Sequence, residues 1–152
     1  GEMHTPETHF FPLIINKFIN KKKIKIYGKK YKTKDGTCIR DYIHIRDICS
    51  AVEKCIKYME IKKKNEIINL GSGKGYSILE IIKFFQSHFG NIKYEFLIKR
   101  KGDVDKLVCS ISKADKILKW KPKFSKLKNI ISDEIYWQKY LNKKKIIRKF
   151  IY

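Results

Sequence analysis

Four side chains that can form ion pairs or hydrogen bonds fall within five positions of one short apolar segment. They are Arg40, Asp41, Tyr42 and His44. A guanidinium group donates paired hydrogen bonds to a carboxylate or a phosphate, so Arg40 is a candidate anion-binding residue. The alternative is a surface ion pair between Arg40 and Asp41 on an edge strand, with Tyr42 packed inward. The residue types alone leave both interpretations open.

The elements that would position these side chains alternate between strand and helix patterns, which predicts the α/β fold class. Strands are predicted at residues 23–27, 39–45, 66–70 and 93–98. Helices are predicted from Pro12, from Asp47 as an N-cap, from a capping box of Ser77 with Glu80, from Ser112, and around Leu127. The chain has neither an internal repeat nor a linker.

The composition is typical of one globular domain. The chain has 152 residues, of which 43% are hydrophobic, and this is enough to form a core. No apolar run is long enough to cross a bilayer. The four cysteines form no CxxC pair, so we expect a reduced, cytoplasmic protein without a zinc site.

The net charge of +21 is a feature that many nucleic-acid-binding proteins share. Only four of the 36 basic residues are arginine, however, and the lysines are scattered over predicted loops and helix faces. A solvated lysine surface accounts for this distribution, and no DNA- or RNA-binding motif is present. We therefore expect no specific nucleic-acid partner and no membrane partner, but nonspecific polyanion binding at low salt. A basic nucleic-acid-binding module stays open as an alternative.

Three patterns that could indicate chemistry are weak. The glycines of residues 71–75 follow a predicted strand, but Tyr76 stands where a dinucleotide loop needs glycine, so the segment is interpreted as a turn. The pattern Tyr-x-x-x-Lys occurs twice, beginning at Tyr58 and at Tyr140. Because tyrosine and lysine are abundant in this chain, one or two such matches are expected by chance. His4 and His9 lack the spacing of metal ligands, so no metal is predicted.

The stretch from Asp35 to Ile45 resembles the DGTxxRDYIHV segment of the UDP-glucose 4-epimerase family, in the extended short-chain dehydrogenase/reductase superfamily. Five further segments are similar to motifs of that family, in the same order and with the same spacing. They are GE…PETHFFP at 1–12, IYG at 26–28, NLGSG at 69–73, RKGD at 100–103, and SKA…WKP at 112–122. The resemblance extends from Gly1 to about Trp137, and six motifs in register make it specific.

The resemblance implies a fold, a reaction and a cofactor. Residues 1–142 would be the C-terminal, UDP-sugar-binding region of an extended short-chain dehydrogenase/reductase, lacking most of the Rossmann domain, and residues 143–152 a basic tail. A complete family member interconverts UDP-glucose and UDP-galactose with bound NAD, through a 4-keto intermediate, and forms homodimers. The NAD loop and the catalytic Tyr-x-x-x-Lys would precede Gly1, so this chain alone would be inactive. The alternatives are another nucleotide-sugar epimerase or dehydratase of the superfamily, and a degenerate product without function.

The resemblance also assigns substrate contacts residue by residue. Arg40 and Arg100 would meet the diphosphate of a UDP-sugar. Asp103 would accept hydrogen bonds from the ribose hydroxyls. The strand that contains Ile26 and Tyr27 would pass the uracil, with backbone groups bonded to its edge and the aromatic ring packed beside it.

Four more residues complete the substrate site that the resemblance implies. His9 and Phe10 correspond to a loop near the nucleotide diphosphate, and Tyr42 would shape the pocket wall. Leu107 corresponds to the position that borders the hexose. A side chain smaller than tyrosine leaves room there, which raises the hypothesis that the whole protein also accepts N-acetylated UDP-sugars. No catalytic, cofactor-binding or metal-binding residue is predicted within this chain.

Overall fold

A computed structural model describes the backbone of residues 6–151 and the side chains of residues 6–143. In chain order the elements are α1 (Phe10–Ile19), β1 (Ile24–Tyr27), β2 (Ile39–Asp41), α2 (Ile45–Lys62), β3 (Gly75–Ser77), α3 (Ile78–Phe89), β4 (Tyr94–Leu97), β5 (Lys106–Leu107), α4 (Ser112–Leu118) and α5 (Leu127–Ile151). The predicted α/β class is confirmed. Every helix among the described residues is too short or too polar to cross a lipid bilayer.

Two small sheets position the site. β1 pairs in parallel with β4, so that Ile24 lies opposite Tyr94 and Tyr27 opposite Leu97. β2 is the central strand of the second sheet, antiparallel to β3 and parallel to β5. The segment that carries Arg40 is therefore paired on both sides and is not an edge strand.

The buried core has two parts. The larger part lies between α1, β1, α3 and α5, and its fully buried side chains include Ile14, Ile15, Ile81, Ile82, Phe85 and Ile131. Apolar residues in α1 and α3 recur every three or four positions, so one face of each helix packs inward. The smaller part packs α2 against α4 around Ala51, Ala114, Leu118 and Trp120.

Two helices begin at residues other than those predicted. α1 begins at Phe10, and Pro12 is accommodated because the first N–H groups of a helix have no acceptor within it. The N-cap of α2 is His44, whose side chain accepts a hydrogen bond from the backbone N–H of Arg46. The prediction of Asp47 as the cap is wrong, because its carboxylate is directed to the loop before α5.

Two strand predictions fail in length or in pairing, and two short strands were not predicted. The strand predicted at 39–45 ends at Asp41, because the chain turns into α2 at Ile45. Residues 66–70 pair with no strand in the part of the chain that the structure describes. β3 and β5 have three and two residues, too few to produce a recognisable alternating pattern.

The predicted boundary before residue 143 falls inside α5, which continues to Ile151. The functional division into a binding region and a basic tail stays a prediction.

Candidate functional site

A turn built around Asp35 leads the chain into β2. Asp35 Oδ1 accepts hydrogen bonds from the backbone N–H and the hydroxyl of Thr37, at 2.9 and 2.7 Å. Asp35 Oδ2 accepts one from the hydroxyl of Ser77, the N-cap of α3. Burial alone raises the pKa of Asp35, but these hydrogen bonds outweigh it and hold the pKa below its ordinary value. The turn thus joins the start of β2 to the start of α3.

The guanidinium group of Arg40 is held by three acceptors. Nη1 donates to the carbonyl oxygens of Ile39 at 2.8 Å and Val104 at 2.9 Å. Nη2 lies 3.3 Å from Asp103 Oδ1, and these two side chains are 21% and 33% exposed. Arg40 therefore pairs with Asp103 and not with Asp41. These contacts fix the orientation of the Arg40 guanidinium group. Part of the group remains accessible to solvent and could therefore bind an anion.

Asp41 faces the opposite side of β2, because successive strand residues alternate between faces. Its Oδ1 accepts hydrogen bonds from the hydroxyl and, at 2.9 Å, from the backbone N–H of Ser72. Its Oδ2 accepts from the N–H groups of Gly73 and Cys109, each at 3.1 Å. The 71–75 segment is therefore a turn tied to β2, and a carboxylate occupies N–H groups that a phosphate would need.

Asp103 is also the acceptor for Tyr31, a buried tyrosine between β1 and β2. Tyr31 Oη donates to Asp103 Oδ2 at 3.0 Å. Burial and then the hydrogen bond and charge of Asp103 raise the pKa of Tyr31 to about 12. The ammonium group of Lys99 lies 4.2 Å from the centre of the Tyr31 ring. A continuous set of hydrogen bonds therefore joins Tyr31, Asp103 and Arg40.

The second predicted arginine, Arg100, lies over the ring of Tyr27, with Cζ 3.9 Å from the ring centre. Burial raises the pKa of the nearby Cys38 thiol, while the positive charges of Arg40 and Arg100 both act to lower it. The backbone N–H of Asp103 lies 3.3 Å from the Arg100 carbonyl oxygen, and the Asp103 carboxylate pairs with Arg40. The fold therefore connects both arginines to one turn, residues 100–103, although they are far apart in the chain.

Two more predicted site residues are positioned by strands. Ile26 is 2% exposed and belongs to the core, so only its backbone could meet a ligand. Leu107 lies opposite Arg40 in the parallel β2–β5 pairing and is 63% exposed. Leu107 and Arg40 are therefore neighbours on adjacent strands.

The three remaining predicted site residues line a cavity of about 550 Å³ between the starts of α1 and α2. They are His9, Phe10 and Tyr42. The ring centres of Phe10 and Tyr42 are 6.4 Å apart, and His9 Nδ1 lies 3.6 Å from Glu7 Oε1. Burial and then Cys38 raise the pKa of Tyr42, while the charge of Arg40 opposes the rise. Because Tyr42 directly follows β2, the cavity lies at the end of the strand that carries Arg40.

A network around His44 fixes the chain as it leaves β2. His44 is 6% exposed, and its Nδ1 accepts from the N–H of Arg46, so its Nε2 carries the proton and donates to Asp133 Oδ2 at 3.0 Å. The His44 N–H donates to Ser125 Oγ at 2.9 Å, and the Ser125 hydroxyl donates to Asp47 at 2.6 Å. This network was not predicted from the sequence. Its only local signal is the density of polar residues after β2.

The weak patterns do not assemble into a second site among the described residues. Tyr58 and Lys62 line a different cavity, of about 530 Å³, between α2 and α4. Residues 6–143 contain no group of three or more potential metal ligands. His4 lies outside the described residues.

Comparison with known proteins identifies relatives of the chain. Residues 1–71 match the model of the NAD dependent epimerase/dehydratase family. The chain is 35% identical over 141 residues to UDP-glucose 4-epimerase from Halalkalibacterium halodurans, covering 91% of this chain and 42% of that protein. It is 39% identical to UDP-glucose 4-epimerase from Lactobacillus helveticus, with 91% and 43% covered. The chain thus spans under half the length of these relatives.

The fold is also similar to part of a solved epimerase structure. That structure is a UDP-glucose-4-epimerase from Stenotrophomonas maltophila with bound NAD and formylated UDP-arabinopyranose. The TM-score is 0.88 at 27% sequence identity, and the match covers 94% of this chain and 43% of that one. The resemblance predicted from the motifs is therefore confirmed at the level of the epimerase-type fold.

Proposed function

We propose that this chain is the C-terminal, UDP-sugar-binding part of a UDP-glucose 4-epimerase. The observation that carries the proposal is that Arg40 pairs with Asp103, in the same turn as Arg100, on a fold similar to an epimerase with a bound UDP-sugar. Two guanidinium groups suit a diphosphate, because each donates paired, charge-assisted hydrogen bonds to phosphate oxygens. Arginine at both positions is informative in a chain where only four of 36 basic residues are arginine.

Arg40 and Arg100 would bind the diphosphate from two directions. Asp103 would hold the ribose hydroxyls, because a carboxylate offers about four acceptor positions and the bonds to Tyr31 and Arg40 leave some of them available. Tyr27, whose ring contacts the guanidinium group of Arg100, would pack against the uracil. These roles are carried over from the family resemblance, and the contacts described above are compatible with them.

The remaining predicted residues would complete the site. His9 and Phe10 would close it from the start of α1, and Tyr42 would form part of its wall. The backbone of Ile26 would bond the uracil edge, since its side chain is buried. Leu107 would border the hexose, next to Arg40 on the neighbouring strand. A full-length protein that epimerised UDP-glucose but never UDP-N-acetylglucosamine would contradict the proposed tolerance at Leu107.

The whole protein would interconvert UDP-glucose and UDP-galactose, with NAD supplying hydride transfer at C4 of the sugar through a 4-keto intermediate. The glycine-rich 71–75 turn does not fit the diphosphate of NAD, because the N–H groups of Ser72 and Gly73 donate to Asp41. No step of the NAD chemistry is therefore assigned to this chain. Its contribution is to hold the nucleotide so that the sugar is oriented, and alone it is expected to be inactive.

The outer face of α2 supports the proposal that the chain is one part of a longer protein. Val52, Ile56 and Met59 lie on one face of α2 and are 48%, 49% and 51% exposed. Ile67, in the segment that follows, is 88% exposed. Contiguous exposed apolar residues mark surfaces that another structure covers. The additional length of the relatives would supply that cover.

We also propose the division of the chain, the location and the oligomeric state that the resemblance implies. Residues 1–142 would form the binding region and residues 143–152 a basic tail, in a cytoplasmic protein that forms homodimers. All four cysteines are free, as expected for a reducing compartment. Light scattering on the full-length protein tests the dimer.

Titration of the folded chain with UDP, by calorimetry at moderate salt, tests the central proposal. Arg40→Ala and Arg100→Ala should each weaken binding about 10–100-fold, because a hydrogen bond to a charged group contributes about 1.5–3 kcal/mol. The double variant should lose measurable binding. Arg46→Ala is the matched control, since the guanidinium of Arg46 lies over Phe124, with Cζ 3.8 Å from the ring centre. It removes the same charge outside the site.

Saturable binding that the site variants lose and the control retains would support the proposal. Absence of UDP binding by a chain that its NMR spectrum shows to be folded would contradict it, as would an equal loss in Arg46→Ala. A basic nucleic-acid-binding module would behave differently. Its binding to nucleic acid would fall steeply with salt and would not depend on Arg40 more than on any lysine.

A further inference from the structure

Arg40 and a buried tyrosine share one carboxylate, which lies beside the two backbone carbonyl oxygens that also hold the guanidinium group. Arg40 Nη2 lies 3.3 Å from Asp103 Oδ1, and Tyr31 Oη donates to Asp103 Oδ2 at 3.0 Å. The two oxygens of one carboxylate therefore connect Tyr31 to Arg40. Because a carboxylate is planar and rigid, a hydrogen bond that holds one oxygen restricts where the other oxygen can lie.

Asp103 needs such an anchor because it lies in an exposed loop between β4 and β5. Its neighbours Gly102 and Val104 are exposed, and its backbone N–H lies 3.3 Å from the Arg100 carbonyl oxygen. Tyr31, in contrast, is 4% exposed and packs so closely against Gly28 that a Cβ there would overlap the tyrosine ring. The core therefore fixes the position of the Tyr31 hydroxyl, and the hydroxyl can fix the loop carboxylate.

We propose that Tyr31 is a positioning residue of the nucleotide site, whose hydroxyl holds Asp103 so that Asp103 orients the guanidinium group of Arg40. The identity of the ligand rests on the proposed function, but the coupling of Tyr31 to Arg40 does not. Tyr31 acts through Asp103 and is assigned no contact with the ligand. Its hydroxyl is protonated and can donate in neutral solution, and the raised pKa of about 12 extends this state to more alkaline pH.

The first test needs no ligand. Tyr31→Phe removes only the hydroxyl and keeps the ring that packs in the core. Hydrogen bonds at Nη1 and Nη2 slow rotation within the guanidinium group, so nitrogen NMR of the wild-type chain should show separate Nη signals for Arg40. Tyr31→Phe should merge or broaden these signals while the backbone spectrum is retained. Asp103→Ala should have the same effect, and Tyr58→Phe, on α2, should have none.

The second test measures UDP affinity in a double-mutant cycle. Tyr31→Phe is expected to weaken UDP binding on the order of tenfold, the effect of one hydrogen bond to a charged group. In an Asp103→Ala background the same change should have no further effect, because Tyr31 acts only through Asp103. A merely structural contribution of the hydroxyl would multiply with the effect of Asp103→Ala.

The outcomes separate this inference from the proposed function. Unchanged Arg40 signals in Tyr31→Phe, or a loss of affinity that persists in the Asp103→Ala background, would overturn the inference. In one outcome the folded wild-type chain does not bind UDP, while Tyr31→Phe and Asp103→Ala both merge or broaden the Nη signals of Arg40. In that case the proposed function fails and the positioning role of Tyr31 is retained. If the chain binds UDP and both variants release Arg40, the two are supported together.

Discussion

Asp47 should contribute more to the stability of the chain than its position in the first turn of α2 suggests. It is 1% exposed and accepts hydrogen bonds from Ser125 Oγ at 2.6 Å, the Lys123 N–H at 2.8 Å and the Phe124 N–H at 2.9 Å. Asp47→Ala leaves these three donors without their acceptor. A donor without a partner costs about 1–3 kcal/mol when it is buried, so three such donors set an upper limit of roughly 9 kcal/mol. The actual cost is lower, because Lys123 is exposed and Phe124 and Ser125 are only half-buried.

The expected destabilisation by Asp47→Ala is smaller than that limit, about 3–5 kcal/mol. Water can reach the emptied position, and contributions within one network do not add. Asp47→Asn should cost only about 1–2 kcal/mol, because its amide oxygen can still accept from Lys123 and Phe124 while its NH₂ group faces Ser125. The reasoning predicts that Asp47→Ala lowers the free energy of unfolding more than Asp47→Asn does, and this order is as informative as the two magnitudes.

Urea denaturation followed by circular dichroism measures these differences. Asp115→Ala is the matched control, because Asp115 pairs with Lys121 at 3.1 Å on the surface, where the two side chains are 43% and 69% exposed. Removing such a pair should cost less than about 1 kcal/mol. An equal loss of stability in Asp47→Ala and Asp115→Ala would refute the reasoning.

The same network predicts a pH dependence with a definite sign. Burial raises the pKa of Asp47, but the hydrogen bonds from Ser125, Lys123 and Phe124 outweigh burial and leave it lowered. A carboxylate with a lowered pKa in the folded state contributes stability above its unfolded pKa, which is about 3.9, and loses it as the pH falls through the folded value. Between pH 5 and 2, Asp47→Asn should therefore lose less stability than the wild-type chain. Parallel acid-denaturation curves would contradict this.

Three further changes test separate elements. Ser77→Ala should destabilise the chain by about 1–2 kcal/mol in urea, because it removes the cap of α3 and a hydrogen bond to the 35–37 turn. Lys119→Gly should stabilise it by up to about 1 kcal/mol, since φ at this helix C-cap is 50° and glycine adopts such values without strain. Gly28→Ala should cost more than about 2 kcal/mol, because φ is 87° and the added methyl overlaps Tyr31; a smaller change would show that the ring can move aside.

Local sequence signals predicted the elements whose determinants are local. α3 begins with the predicted capping box of Ser77 and Glu80, and it ends at Phe89, immediately before Gly90. All the residues needed for these decisions lie within a few positions of the helix. The alternating residues before Gly28 likewise predicted β1.

The errors arose where the deciding partner lies far away in the chain. Aspartate is a common N-cap residue, but the carboxylate oxygens of Asp47 accept hydrogen bonds from Lys123 and Ser125. His44 is the N-cap instead. Arg40 was compared with its neighbour Asp41, whereas its partner in the structure is Asp103. Periodicity and propensity carry no information on such pairs. Only the family resemblance connected Arg40 with residues 100–103 before the structure was considered.

Residues 66–70 show how a local pattern can be clear and still produce no strand. Three of the five residues are apolar, two of them are β-branched, and a glycine follows. A strand also needs a neighbour that accepts and donates its backbone hydrogen bonds. No strand pairs with it among residues 6–151, and Ile67 is 88% exposed. The outer face of α2 has the same character, because Val52 and Ile56 continue an amphipathic pattern and remain about half exposed. Both segments carry apolar residues of the kind that is usually buried, yet these side chains are exposed. The secondary structure and burial predicted from the local sequence therefore fail where they depend on contacts that the described residues do not supply.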